Sequence, residues 1–222
     1  MSSDHMIYFN SAGVEIPSVT TVLKIMNNHL DGWANYMGLK GVNTRYYVQE
    51  RAERGTYIHE ICSMYFLQTI PENFIADETF ISQSGYEYLI YKLDILKKML
   101  YDKGYDFYAS ELALSCDTFG GTMDIVFYNK EKDDYLILDF KTSKNVYHKY
   151  YIQLAGYTML FRDVKHGYVR NVGVVLIDKD IVGKDFITIR PTENNVHNEK
   201  IFKDFLDIYY TCDQDEMEVF FK

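Results

Sequence analysis

The amino-acid sequence predicts an α/β fold: a central mixed β-sheet flanked by helices, with a helical extension at the N-terminus. Three observations carry this expectation. Residues 122–128 and 135–142 are apolar, β-branched runs with side chains alternating at period two, joined by a polar turn at 129–134. A helix-period segment at 147–161 separates them from a further apolar strand at 172–177. Two longer segments with helical spacing, 43–67 and 81–100, lie upstream. Helices before, between and after strands bury both faces of a sheet, the layered arrangement that such an order of elements favours. At 222 residues the chain is expected to form one domain, 1–104 mainly helical and 105–222 the α/β core.

The individual elements follow from local signals. Residues 1–5 read as a cloning remnant ahead of Met6, and 6–16 as a short hairpin turning over 10–13. Pro17 and Ser18 open a helix over 19–26, with Ser18 as N-cap. Asp31 caps a second helix that carries Trp33, Tyr36 and Leu39 and ends at Gly41. The 43–67 helix is expected to break or kink at Gly55 and to bury a stripe of Tyr57, Ile58, Ile61, Cys62 and Tyr65. The 81–100 helix runs into Lys97, Lys98, Lys103 and Gly104, the charge bias of a helix C-terminus. Strand 106–115 alternates Tyr108, Ser110, Leu112 and Leu114 against Glu111 and Ala113. A strand at 186–189 pairs with 172–177, and Asn194 or Asn195 caps a last helix running to Tyr210, before the acidic tail 213–218.

Composition bounds the functional classes. Hydrophobic residues at 47% and charged residues at 25% describe a soluble globule, and 21 Tyr with 14 Phe can supply a core, a stacking surface for bases, or both. The net charge of −9 argues against gripping nucleic acid by bulk electrostatics. Local basic strips remain: Lys141, Lys144, His148 and Lys149 form one, and Arg45, Arg51 and Arg54 another. Each reads equally as a solvated helix face. No apolar run approaches the roughly 20 residues that span a bilayer, and no signal-peptide core is visible, so no membrane association is expected. A cytoplasmic location is expected, a host cell's if the chain is phage-encoded. Cys62, Cys116 and Cys212 lack Cys-x-x-Cys spacing, which suits a reducing compartment and argues against disulfides or structural zinc.

The chemistry gathers at 120–157. Asp139 and Lys141 are two apart and share a strand face, while Leu136, Leu138 and Phe140 point into the core. Met123, Ile125 and Phe127 are expected on one face of the earlier strand and Asp124 on the other. Antiparallel pairing then brings Asp124 beside Asp139 and Lys141. Two carboxylates are natural donors to Mg²⁺, which takes its remaining ligands from water and phosphate. A cation so held polarises a phosphodiester and acidifies water. Lys141 can orient or deprotonate that water, or stabilise charge in the transition state. Gln153 and Tyr157 stand at i and i+4 on one helix face, able to contact phosphate or, for Tyr157, to stack on a base. His59 lies beside an apolar stripe and by default is a structural histidine. Glu111 is either a solvated edge residue or an acid approaching the site.

Gly120-Gly-Thr-Met-Asp124, then Asp139-Phe-Lys141-Thr142, then Gln153-x-x-x-Tyr157 together resemble the PD-(D/E)XK nuclease superfamily. They look most like its RecB-type branch, which includes phage exonucleases and the mitochondrial genome maintenance exonuclease. Gly55-Thr-x-x-His59 resembles a further motif of that branch, and Pro17-Ser-Val-Thr-x-Val-Leu23 followed by Trp33 resembles its N-terminal part. The resemblance implies a restriction-endonuclease-like core and a metal-dependent DNA exonuclease of phage-type replication, recombination or repair. It implies Mg²⁺ or Mn²⁺ held by His59, Asp124, Asp139 and the Phe140 carbonyl. Lys141, with Asp139, Asp124 and Glu111, would be catalytic. Thr142, Lys144, Lys149, Gln153 and Tyr157 would contact DNA, presented as the end of a linear molecule or as a single strand. Family members often carry Glu four residues after the histidine, where this chain has Ser63. Some relatives hold an iron–sulfur cluster on four cysteines; with three, none is expected here. An endonuclease of the same fold, a catalytically silent DNA-binding or assembly module, and a protein-binding inhibitor are the competing readings.

Overall fold

The computed structural model describes residues 6–26, 31–143, 145–177, 187–191 and 195–212, with backbone alone at 31, 187–191 and 195. A two-stranded hairpin, β1 (Tyr8–Phe9) and β2 (Glu15–Ile16), opens the chain, its turn tightened by the Asn10 side chain accepting from the Ala12 and Val14 N–H groups. Ser18 caps α1 (Val19–Val22) by accepting from the Thr21 N–H, as its residue type predicts. Helix α1 is a single turn continued by a 3-10 turn over Leu23–Ile25, shorter than the 19–26 helix expected. The long helical segments are α2 (Asp31–Leu39), α3 (Thr44–Leu67) and α4 (Gln83–Tyr101). Gly41 at φ 74° follows α2, and Ser82 caps α4 by accepting from the Gly85 N–H.

Helix α3 runs through Gly55 without interruption, which corrects the expected break. Glycine costs a helix interior about 1 kcal/mol relative to alanine, so packing has to explain its presence. A Cβ at Gly55 would lie 3.0 Å from Thr142 Oγ1. The residue lets a strand end approach the helix.

The sheet has the order β3-β4-β5-β6-β7, formed by β3 (Asp106–Ser115), β4 (Gly120–Asn129), β5 (Asp134–Lys141), β6 (Val169–Ile177) and β7 (Ile187–Pro191). All neighbours are antiparallel except β5 and β6, which are parallel and linked through α5 (His148–Lys165), a crossover of the strand–helix–strand kind. Helix α6 (Asn195–Thr211) closes the described chain against α5. The α/β arrangement expected from sequence is therefore present: a mixed sheet between helical layers, with helices at the N-terminus. Of the sequence expectations, the strand start at Phe186, the Asn194 cap and the tail 213–218 lie outside the described residues. No described helix is long and apolar enough to cross a membrane.

Each sheet face carries its own core. On one, Ile58, Ile61, Cys62 and Phe66 of α3 and Leu89, Leu93 and Leu96 of α4 meet Ile125, Phe127, Leu138 and Phe140. On the other, Val19 and Val22 of α1, Leu154, Leu160 and Phe161 of α5 and Phe202 of α6 meet Val126, Ile137 and Val174. Met123 joins this second face rather than that of Ile125 and Phe127 as expected. The alternation slips where Glu111 takes a left-handed φ of 50°, between the register pairs Ser110↔Ile125 and Leu112↔Met123. A side chain with φ in that region interrupts the pleat locally.

Candidate active site

The β4–β5 ladder runs from Asn129↔Asp134 to Ile125↔Leu138, and Asp124 and Asp139 are the next residues on each strand. Here the main-chain pairing gives way to a side chain: Asp124 Oδ2 accepts the Phe140 N–H at 2.7 Å. One carboxylate thus occupies the fork between two strands. Asp139, with 1% of its side chain exposed, sits on the α5 side. Its Oδ1 accepts from Gln153 Nε2 at 3.1 Å, and the same amide donates to the Tyr157 hydroxyl at 2.9 Å. Lys141 Nζ stands 2.7 Å from Asp139 Oδ2, in an approach that leaves the oxygen without a well-directed hydrogen bond. The Lys141 ammonium also lies 5.3 Å from the centre of the Tyr150 ring.

From the opposite helix, His59 Nδ1 comes within 3.6 Å of Asp124 Oδ2, its ring edge-on to Phe140. The α3 stripe that buries Ile58 and Cys62 places His59 at the open end of the fork. Ser110 donates to the Asp124 carbonyl at 3.0 Å and lies 3.0 Å from the Ser63 hydroxyl. Gly121 is needed on the α5 side, since a Cβ there would stand 2.8 Å from the Tyr157 ring.

Burial decides the charge states. It raises the Asp124 carboxyl, against the opposing pull of Lys141 and the Phe140 N–H. It raises Asp139 to about 6, with Lys141 opposing and Asp124 adding to the rise. Burial draws the Lys141 ammonium down, but Asp139 and Asp124 outweigh it and hold its pKa above the ordinary value. His59, though 27% of its side chain reaches solvent, is lowered to about 4 by the protein packed around it and by Lys141. Its contact with Asp124 near neutral pH is therefore that of a neutral imidazole. Glu111, exposed at one edge, is raised to about 7 by desolvation and then by Asp124 and Asp139.

Three clefts meet at this cluster. One of about 620 Å³ is lined by Tyr8, Ser18, Lys24, Thr122, Asp124, Gln153 and Tyr157. A second of about 440 Å³ is lined by His59, Glu60, Ser63, Glu111 and Asp124. A third of about 310 Å³ lies between Gly55, Thr56 and His59 on α3 and Lys141, Thr142 and Tyr150.

Of the residues singled out from sequence, the structure brings together Asp124, Asp139, Lys141, His59, Gln153 and Tyr157, with Phe140 joined to Asp124 through its N–H. Glu111 borders the same cleft as His59 and Asp124. Lys149 is half-buried and lowered by burial and by Lys141 and Lys24, so it shares their surroundings. Thr142 lines the third cleft, and Lys144 lies outside the described residues. Gln153 and Tyr157 are 7% and 4% exposed, which closes the Tyr157 ring face to a base and makes both residues supports for Asp139. His148 Nε2 is hydrogen-bonded with Asn198 Oδ1 on α6 at 3.0 Å. Tyr150, Ser110 and Ser63 were not found from sequence. Tyr150 shares a helix face with Gln153 and Tyr157 at i, i+3 and i+7, which is the signal that could have marked it.

Among the described residues no three His, Cys, Asp or Glu side chains form a ready metal cage. The donor chemistry nonetheless fits a hard divalent cation. Asp139 is buried and Asp124 is 14% exposed, the Asp124 charge raises the Asp139 carboxyl, and the ammonium of Lys141 is the cation already beside Asp139 Oδ2. A cation of the Mg²⁺ type binds through one or two carboxylates, completing its shell with water and phosphate. Asp124 and Asp139, with His59 beside Asp124, are the groups that would hold it; the Phe140 carbonyl, the fourth donor the resemblance implies, is engaged by the His59 ring.

No family model matches the chain, and no curated protein matches it. Solved structures align with it. LHK-Exo in complex with dAMP does so over 93% of this chain and 89% of its own, at 11% identity and a TM-score of 0.44. A candidate exonuclease from Eubacterium rectale aligns over 70% and 67%, at 15% identity and a TM-score of 0.43. Likeness at this level carries no weight for the chemistry, which rests on the geometry above.

Proposed function

We propose that this chain is a metal-dependent deoxyribonuclease, acting as an exonuclease in phage-type replication, recombination or DNA repair. The observation that supports it is the convergence of Asp124, Asp139, Lys141 and His59 at a strand fork that opens onto three clefts. A divalent cation, Mg²⁺ or Mn²⁺, bound at the carboxylates would neutralise phosphate charge and acidify water. Lys141, 2.7 Å from Asp139 Oδ2, would orient or deprotonate the attacking water, or offset charge on the phosphate. Gln153 fixes the rotamer of Asp139, and Tyr157 fixes Gln153. Glu111, which lines the cleft beside His59 and Asp124, would be a further acid at the site. The choice of exonuclease over endonuclease follows from the sequence resemblance.

The test uses end-labelled linear single- and double-stranded DNA beside a covalently closed circle, with Mg²⁺, Mn²⁺ or EDTA. Linear DNA should be degraded only with metal and the circle spared, and Asp139→Ala and Lys141→Ala should each lose at least about a hundredfold in rate. Cutting of the circle would establish an endonuclease. Binding without cutting by the wild type would leave a DNA-binding module.

A further inference from the structure

The face of α3 that carries His59 continues away from the fork through Gly55 and Arg51 to Tyr47. These residues stand at i+4 steps spanning about 18 Å of helix. Tyr47 meets Trp33 of α2 with ring centroids 5.9 Å apart, and the Arg51 guanidinium lies 5.1 Å from the Tyr47 ring centre. On α2, Trp33 and Tyr36 share a face at i and i+3, and Lys40, just past the helix end, sets its ammonium 4.3 Å from the Tyr36 ring. Three aromatic rings thus lie between two cations, Lys40 and Arg51, and the cleft beside Gly55 and Thr56 joins this row to Lys141.

Core packing does not account for the row. Tyr36 is 54% exposed, and Trp33 and Tyr47 are half-buried. The Arg51 Nη1 group is shielded from water yet donates to no acceptor among the described residues. The charge is also local. Residues 32–54 carry four cations, Lys40, Arg45, Arg51 and Arg54, against Glu50 and Glu53, in a chain of net charge −9. A polyanion with exposed flat rings matches such a surface: bases stack on aromatics whatever their sequence, and guanidinium groups take phosphates. In a duplex the base faces are already stacked on each other, so the match is to a single strand.

We propose that this row is the track for a single-stranded polynucleotide, with bases stacked against the accessible faces of Tyr36, Trp33 and Tyr47 and a phosphate on Arg51, leading the strand toward Lys141. The proposal rests on the nuclease reading for its direction, but its test does not require hydrolysis. Trp33 is the sole tryptophan, so its emission reports on the track. Lys141→Ala protein in EDTA would be titrated with an oligothymidylate of about 15 nucleotides and, separately, with a duplex of that length. The single strand should quench Trp33 and bind more tightly than the duplex. Tyr47→Ala and Arg51→Ala should each raise Kd about tenfold, while Tyr47→Phe, which keeps the ring, stays near the parent value. Unchanged affinity in folded Tyr47→Ala and Arg51→Ala proteins, or duplex binding as tight as single-strand binding, would overturn the track. So would Trp33 quenching that follows protein concentration alone with a doubling of mass, since the face would then belong to a second copy. Failure of the wild type to hydrolyse DNA, with this binding intact, would count against the nuclease reading alone.

Discussion

Asp124 and Asp139 are chemically alike and structurally opposite. Asp124 turns sideways in the fork to take a main-chain N–H, whereas Asp139 is held from the α5 side by an amide and an ammonium. Period-two alternation made the Asp139–Lys141 pair legible in sequence, because both residues of such a pair must share a face. The sideways turn of Asp124 was not legible, since it depends on a ladder ending one residue away on another strand. The same holds for Glu111, whose left-handed φ is a property of the paired strands rather than of glutamate. Its carboxyl titrates near 7 against an ordinary value of 4.5. Between those values the folded protein holds a proton that the unfolded chain has released, so this group's contribution to stability falls as pH rises through the window. Glu111→Gln in metal-free protein should therefore raise the melting temperature more at about pH 8 than at about pH 5. An equal shift at both would show that the group is not raised. Gly121→Ala should cost about 1–3 kcal/mol in urea unfolding, because its Cβ would press on the Tyr157 ring.

Helix α3 shows how one element serves both core and site. Of its buried stripe, Ile58, Ile61 and Cys62 were readable from spacing, and so was its extent; Phe66 was not, and Tyr57 and Tyr65, expected in the stripe, are only half-buried. What misled was Gly55, because glycine in a helical pattern signals either a break or a close approach, and only the position of Thr142 distinguishes them. A double substitution separates the two effects. Alanine for glycine in a helix interior is worth about 1 kcal/mol, offset here by crowding against Thr142 Oγ1. Gly55→Ala should therefore stabilise by about 0.5–1 kcal/mol more in a Thr142→Ala background than in the wild type. Additive effects in urea titrations would remove Thr142 as the reason for the glycine. The α5 face was legible as a face, but its exposure was not. Gln153 and Tyr157 look wet in sequence and are buried because α1, β4 and α6 close over α5.

At the scale of the whole molecule, the layered α/β arrangement could be read from the order of periodicities. Which side of the sheet each apolar residue joins could not be read at Met123, where the pleat slips. The two cores lie on opposite faces of one sheet, so damage to either should be felt by both. Phe202 of α6 is fully buried and packs on Phe119 and against Gly156, far along the chain from the α3–α4 core. Phe202→Ala should cost about 3–5 kcal/mol. Far-ultraviolet dichroism and Trp33 fluorescence should then report a single coincident transition. Separate transitions would show that the two layers melt independently. The β4–β5 hairpin turn also stands at the far end of both strands from the fork. It is exposed over 130–133, and Asn129 Oδ1 pins it by accepting the Glu131 and Lys132 N–H groups. That makes the turn a natural handle: a peptide tag spliced in after Lys132 would tether the molecule to a bead or chip by its blunt end, with its working mouth facing the solution.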